Sequence, residues 1–324
     1  MENKYSEETI SEIREYIKKY GYATNYTEPT FYLVSTLIIF FMILYFINIV
    51  ENYNPILIVI LSLIILRLFM IFHDLGHKSF FPTDEREKDY KGFNNFIAKF
   101  IDQFCLFTAD YWVDIHSHHH KAHGNLNEYD GTRTVLTSSE YEKLNPILKV
   151  LYPISRFPPI FFFILGPIYI YWIQRVLNKE WIYLIKYGLL LFILFKIGST
   201  KLLISFLIAQ YIAGIIGLML FHLQHQVNIG YWKPIHILDK LSKDNAELLG
   251  ASVQTVPIWL EYFTNGIEYH NVHHLDPGIP SYKTKQIYYE LANKGLIPDY
   301  KIGYFQEWQS LWYTIFNEKT QRYE

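Results

Sequence analysis

The chain has 324 residues, of which 51% are apolar and 18% aromatic, with a formal charge of −2. That is too apolar for an ordinary soluble domain of this length, and the near-neutral charge offers nothing to attract nucleic acid. The single cysteine, Cys105, excludes an intrachain disulfide framework and suits a reducing compartment.

The first 29 residues are polar and charged, with no pattern of a cleavable signal peptide. Within them Ile10, Ile13 and Ile17 recur at helical spacing and predict a short amphipathic helix with one packing face. Phe31 to Val50 is an uncharged run of 20 residues, which at ~1.5 Å per residue matches the thickness of a bilayer core. Pro55 to Phe72 is a second run, broken only by Arg67, and Trp181–Ser199 and Leu202–Phe221 are a third and a fourth. As buried helices of a soluble core, four such runs would leave too little polar sequence to wrap them, so they predict membrane spans (about 31–50, 55–72, 181–199 and 202–221).

Only Glu51 to Asn54 separates the first two spans, and only Thr200-Lys201 the last two. Loops this short force two antiparallel hairpins, which places both termini and the segment 73–180 on one side. Most lysines and arginines lie there, so that side is expected to be cytoplasmic. Residues 157–173 are apolar but short and interrupted by prolines, predicting an interfacial or re-entrant piece. Residues 93–111 predict a surface helix, and 281–324 a polar, Tyr-rich, soluble stretch. The expected fold is one all-α integral membrane domain, 1–324, with four transmembrane helices under a cytoplasmic helical cap.

The thirteen histidines are far from evenly spread. His73 and His77 stand four apart at the end of the second span. His116, His119 and His120 follow a His-x-x-His-His spacing, and His270, His273 and His274 repeat it. Residues three and four apart share a helix face, so each cluster points its rings one way, while His118 points roughly opposite. His222 and His225 end the fourth span; His236 is isolated and reads as an ordinary surface or hydrogen-bonded side chain.

Eight rings on three separated segments, each just outside a span, have no packing rationale. Crowded imidazoles must be kept neutral by metal or by hydrogen bonds. Imidazole suits zinc, copper, iron or nickel, and eight or more ligands exceed the four of one tetrahedral zinc, pointing to two ions. No Cys-x-x-Cys, His-Glu-x-x-His or Gly-x-Ser-x-Gly element accompanies them. A nitrogen-rich dinuclear site beside an apolar interior suits activation of dioxygen against an unactivated hydrocarbon.

With their flanks, these clusters resemble the three histidine boxes of the membrane fatty acid desaturase family, in its acyl-lipid branch, which includes Δ12 (ω-6) and Bacillus Δ5 enzymes. The first box reads His73-Asp74-Leu75-Gly76-His77 before Lys78-Ser79-Phe80-Phe81, and the third His270 to His274 before Leu275-Asp276-Pro277-Gly278-Ile279-Pro280-Ser281-Tyr282. Gly124-Asn125-Leu126 and Glu140-Tyr141 resemble the stretch after the second box, Phe157 to Tyr171 the family's Pro-rich segment, and Phe221 to Gln226 its Gln-His-Gln element. The chain departs from the pattern at Trp112-Val113-Asp114, where an arginine often follows the tryptophan, at the extra His118 and His123, and at Asn265-Gly266-Ile267-Glu268.

The resemblance implies two iron ions held by His73, His77, His116, His119, His120, His225, His270, His273 and His274. It implies an oxidoreductase that uses dioxygen and two electrons to introduce a cis double bond into a fatty acyl chain carried on a lipid or on CoA, with a preference for a second bond (Δ12/ω-6) in oleoyl chains. No His-Pro-Gly-Gly motif of a fused cytochrome b5 is present, so a separate donor, cytochrome b5 or ferredoxin, is expected. The membrane is the endoplasmic reticulum in a eukaryote or the plasma membrane in a bacterium. Asp74, Asp114 and Asp276, with Asp110 and Glu268, are candidates to orient ligating imidazoles. Trp112, Tyr269 and Trp259 are candidates to line an acyl tunnel.

Three other readings stand beside this one. A hydroxylase, acetylenase or ketolase on the same scaffold differs only in how the acyl chain meets the oxidant. A metal transporter would place its ligands near the bilayer midplane on broken helices, whereas these spans carry almost no His, Asp or Glu. A structural or sensory metalloprotein would need no long apolar cavity.

Overall fold

Helices form where apolar periodicity and capping chemistry agree. The computed structural model describes residues 5–83, 92–105, 107–128, 135–227, 232 and 239–324; His236 lies outside them. Helix α1 (Glu7–Tyr20) begins at Ser6, whose side chain accepts from the Thr9 N–H, and buries Ile10, Ile13 and Ile17 as expected. The antiparallel pair α2 (Thr27–Ile49) and α3 (Pro55–Gly76) follows. Asn54 caps α3 through the Ile56 and Leu57 N–H groups, and Pro55 occupies its first turn, where a missing N–H is harmless. In α3, 67% of the apolar window is buried, against 28% in α2, so α3 is the central span.

Next come α4 (Phe93–Cys105), α5 (Ala109–Ala122), the short α6 (Ser138–Glu142) and α7 (Pro146–Arg156). A continuous helical column, α8 (Pro158–Leu177), runs into α9 (Trp181–Ile197) and then α10 (Thr200–His225). The cap is completed by α11 (Lys240–Leu249), α12 (Ile258–Thr264), α13 (His270–Leu275), α14 (Ser281–Asn293) and α15 (Tyr304–Ser310). A small sheet joins β1 (Leu136–Thr137) in parallel to β2 (Ile315–Asn317), which pairs antiparallel with β3 (Arg322–Tyr323). The C-terminal stretch is thus tied into the fold rather than merely soluble.

Among the described residues four helices are long and apolar enough to cross a membrane: α2, α3, α8 and α10. The chain is an integral membrane protein. Three of these coincide with the predicted spans. The fourth is α8, expected as an interfacial piece, while the predicted span at 181–199 is the 17-residue α9, only ~26 Å long.

The prolines explain the difference. Pro158 and Pro159 sit in a first turn, where proline is tolerated, and Pro167 is accommodated by widened turns. The Gly166 N–H reaches the Phe161 carbonyl and the Gln174 N–H reaches Tyr169, each five residues back. Pro167 has no N–H for the Phe163 carbonyl, and the Tyr211 hydroxyl of α10 takes its place. Gly166 allows close approach as well, since a Cβ there would lie 2.4 Å from Leu218.

Helices α8 and α9 descend in sequence alongside α10. Phe162 is level with His222, Tyr171 with Gly214 and Tyr187 with Gln210. The pair together supplies the return pass that brings His116–His120 and His225 to the same end of the molecule.

The charge at the middle of α3 is matched internally. Arg67, 2% exposed, donates from Nε to Thr36 Oγ1 at 3.0 Å and from a terminal nitrogen to the Tyr262 carbonyl. Its guanidinium lies over the Tyr262 ring at 4.2 Å and the Tyr32 ring at 5.1 Å. Replacement by alanine removes two hydrogen bonds and both ring contacts, an expected loss of about 2–4 kcal/mol. Thermal unfolding in detergent should show a clearly lowered midpoint for Arg67→Ala, and Arg67→Lys should recover only part of it.

Candidate metal centre

The C-terminal end of α3 carries His73, and His77 caps the helix. Asp74, fully buried, accepts from His73 Nδ1 at 3.0 Å, and its other oxygen accepts from the Ser281 N–H and Oγ at 2.7 and 2.6 Å. Accepting from Nδ1 fixes that imidazole with its proton outward and its Nε2 lone pair inward. Asp74 also ties the first histidine cluster to the start of α14, just after the third.

The second cluster rides on α5, whose start is fixed by the Thr108 side chain accepting from the Tyr111 N–H. At the other end Lys243 of α11 donates to the carbonyls of His120 and His123 at 2.9 and 2.8 Å. An ammonium there suits the negative end of a helix dipole. The third cluster occupies the six-residue α13, and His225 ends α10.

These elements bring all nine of the predicted ligand candidates into one cluster. His73, His77, His116 and His273 form one group, and His119, His225, His270 and His274 a second, with ring nitrogens inside each within 4.8 Å of one another. His120 lies between them, its ring 4.7 Å from His116, 5.0 Å from His273 and 4.4 Å from His274.

Within the second group the Nε2 atoms of His119 and His274, His274 and His270, and His270 and His225 are each 3.1 Å apart. His120 Nε2 stands 3.2 Å from the Nε2 atoms of both His116 and His273. A metal–nitrogen bond of about 2.1 Å gives an edge of about 3.0 Å in an octahedron and about 3.4 Å in a tetrahedron. The spacing therefore suits ions of five or six ligands, and the residues present fit a metal pair.

Burial pushes the imidazoles of His77, His116, His119, His270, His273 and His274 well below the usual histidine range, with neighbouring imidazoles adding to the effect. His120 is lowered to about 3, again chiefly by burial. They are thus neutral at pH 7, the state in which imidazole binds metal.

Glu247 of α11 is a contributor that sequence reasoning missed. Its carboxylate accepts from His274 Nδ1 at 2.9 Å and from Lys243 Nζ at 2.8 Å. Burial raises it to about 7, against the pull of Lys243. The only sequence signal is the Lys243–Glu247 spacing of four, which says nothing of a histidine 27 residues on.

Of the acidic candidates only Asp74 touches an imidazole. Asp114 is exposed, Asp110 pairs with Lys99 at 3.1 Å, and Asp276 accepts from the Tyr22 hydroxyl at 2.9 Å and the Gly278 N–H. Glu268 is buried and raised by that burial, and it faces Thr264. His118 is half-exposed, 3.6 Å from Glu128. The His222 ring meets the Ser310 carbonyl at 2.8 Å and belongs to neither group. His123 is fully buried and packs 4.2 Å from the His274 ring, also outside both groups.

Beside the cluster, an apolar cavity of about 660 Å³ runs between α3, α5, α8 and α10 and includes His116 and His119 in its wall. Trp112 lines it and stacks on His116 at 4.6 Å. Tyr269 does not, being buried in the cap, and Trp259 is 60% exposed on α12.

A profile of the family described as fatty acid desaturase matches residues 52–308. The chain belongs to that family. It is 32% identical over 234 residues to a Bacillus subtilis protein named fatty acid desaturase, covering 67% of this chain and 62% of that one. It is 24% identical over 245 residues to the sn-1 oleoyl-lipid 12-desaturase of a Picosynechococcus species, covering 68% and 63%. The matched part therefore spans less than two thirds of either relative's length.

Two outcomes follow for this desaturase-family chain. The folded, metal-free imidazoles titrate below the unfolded value of about 6.5, so at lower pH the unfolded chain binds more protons. Stability of the metal-free protein should be complete above pH 6.5 and fall as pH drops from there toward about 3, where His120 titrates; melts at pH 7.5, 6.0 and 5.0 check the direction. For Glu247→Ala, metal affinity should fall about 10–100-fold, with Glu247→Gln between it and the native chain, read as metal retained after dialysis against a graded chelator.

Proposed function

We propose that this chain is a membrane-bound di-iron fatty acid desaturase that uses dioxygen and two electrons to place a cis double bond in a fatty acyl chain. One observation carries the proposal: two groups of four inward-facing histidines, with His120 between them, flank a long apolar cavity. A transporter needs ligands along a path through the bilayer, whereas these sit together where helices end.

His73, His77, His116 and His273 would hold one iron and His119, His225, His270 and His274 the other, with His120 placed to serve either. When bound, the metal pair supplies the oxidising power of dioxygen. The overall change is R–CH2–CH2–R′ + O2 + 2 e⁻ + 2 H⁺ → R–CH=CH–R′ + 2 H2O, so two C–H bonds break and one π bond forms. The chain's own part is to hold the acyl methylenes beside His116 and His119, keep water out of the apolar cavity, and fix the imidazoles through Asp74 and Glu247.

The electrons come from a separate donor of the cytochrome b5 or ferredoxin kind, and the acyl group arrives on a membrane lipid or on CoA. The 12-position of an oleoyl chain is supported by the printed name of the Picosynechococcus relative. The basic loops support a cytoplasmic site and cytoplasmic termini.

New cis double bonds should appear in the lipids of an expressing host and disappear without oxygen, followed by mass spectrometry of the fatty acids; hydroxylated products would instead favour the hydroxylase reading. Alanine at any of the nine histidines should lower bound iron and abolish product. His118→Ala should retain the full native iron content, with His123→Ala and His222→Ala mild or intermediate. Reporter fusions at residues 52 and 200 should read the far side of the membrane, and a fusion at 324 the cytoplasmic side.

A further inference from the structure

We propose that the histidine end of the molecule carries a lipid-docking collar, in which α7, α12 and α15 lie in the headgroup and upper acyl layer of the membrane with their outward faces covered by phospholipid. The collar is a surface distinct from the spans, and it does not depend on the reaction assigned above.

Helix α7 is built inside out. Ile147, Val150, Leu151 and Ile154 recur at spacings of three and four, so they share one face. All four are more than half exposed, Ile147 at 70%. The opposite face holds Lys149, Tyr152 and Arg156, and these are the half-buried side chains. That polar face is bonded to the cap. The Tyr152 hydroxyl accepts from the Leu136 N–H at 2.7 Å and donates to the Thr314 carbonyl at 2.8 Å, and the Lys149 carbonyl accepts from the Tyr141 hydroxyl at 3.2 Å. A helix facing water turns the other way, with its apolar stripe inward.

The outward stripe runs without a break into the span surface. Phe157 ends α7 and opens α8, along which Phe163, Ile164 and Ile168 are exposed. Its ring is 5.8 Å from Trp312, and Trp312 is 5.8 Å from Trp308 of α15. Tyr304 and Phe305 extend the exposed aromatic row along α15. Tryptophan and tyrosine collect where a bilayer meets water. The Arg156 guanidinium lies over the Phe161 ring at 4.7 Å, and its Nε is buried without a hydrogen-bond partner. At that boundary it suits a lipid phosphate.

Helix α12 fixes the depth. Its Tyr262 carbonyl takes a hydrogen bond from Arg67, and the Tyr262 ring lies 4.2 Å from that guanidinium. Arg67 is six residues before His73, about 9 Å further into the span along α3. Helix α12 therefore descends below the histidines, within the roughly 5–10 Å that in-plane helices sink into a bilayer. Its outer side is bare, with Ile258 84% exposed and Trp259 beside it.

The two parts of the collar stand against different spans. Helix α12 meets α3 and α2 through Arg67, which also lies over Tyr32. The α7–α15 part meets α8 and α10 through Phe157 and the contact between Ser310 and His222. A protein partner seated on one part leaves the other bare, whereas the bilayer borders both.

The test places a small fluorophore on the full chain through Val150→Cys, Ile258→Cys or Trp308→Cys, one at a time. Each protein is held as a single copy in a phosphatidylcholine nanodisc with no other protein present. Cys105 is buried and stays unlabelled. Ile38→Cys, on the exposed side of α2, is the lipid reference, and Lys319→Cys, exposed on the cap, is the water reference. Labels at all three collar positions should be quenched by spin-labelled phosphatidylcholine as strongly as at residue 38. Iodide should quench them at least about fivefold less than at residue 319. A label site that lowers iron content is replaced by its neighbour on the same stripe, Leu151→Cys or Phe305→Cys. Iodide quenching equal to that at residue 319, at any of the three positions, overturns the collar and assigns that face to a second copy or another protein.

Discussion

The structure depends on one requirement: nine imidazoles must sit within a few ångströms of one another, uncharged, with their lone pairs facing inward. An imidazole turned the wrong way would present an N–H to the centre, and a protonated one would repel all its neighbours. Asp74 and Glu247 meet the requirement where it is hardest, by taking the outward Nδ1 protons of His73 and His274. Lys243 then balances the second carboxylate and satisfies the end of α5 with the same ammonium. The cap around the centre is thus a device for proton placement as much as a hydrophobic cover.

The membrane-facing part solves a related problem with backbone groups. In a bilayer core every polar atom must find a partner within the protein. Arg67 finds Thr36 and a carbonyl of α12 between two tyrosine rings. The carbonyl that Pro167 leaves open in α8 finds the Tyr211 hydroxyl. In both cases the partner comes from a neighbouring helix, so the polar irregularities also fix how α8 packs on α10 and how α3 packs on α2 and α12.

What was legible in the sequence follows from the range of each interaction. Histidine spacings of three and four are local, and the helices α3, α5 and α13 display them as the spacing requires. Asp74 was legible for the same reason, being adjacent to the imidazole it orients. Asp114 and Asp276 have a similar local position, but Asp114 is exposed and Asp276 accepts from Tyr22 and the Gly278 N–H, because adjacency in sequence does not set side-chain direction. Glu247 was invisible, since the fold alone carries α11 to His274. The span assignment missed at α8 because prolines were read as breaks, whereas the hydroxyl that compensates for Pro167 lies 44 residues further on. His225 and His222 were separable only by a preference; the structure turns the first toward the cluster and the second toward Ser310.

The small sheet has a consequence for the order of events in the cell. The Tyr323 hydroxyl of β3 donates to the carbonyl of His225 at 3.3 Å, and β2 is registered on β1 at residues 136–137. Strands β2 and β3 are synthesised after all nine histidines. On the ribosome, the nine histidines are therefore made before the segment that braces His225. The His225 end of the centre is thus braced only once β3 has paired with β2.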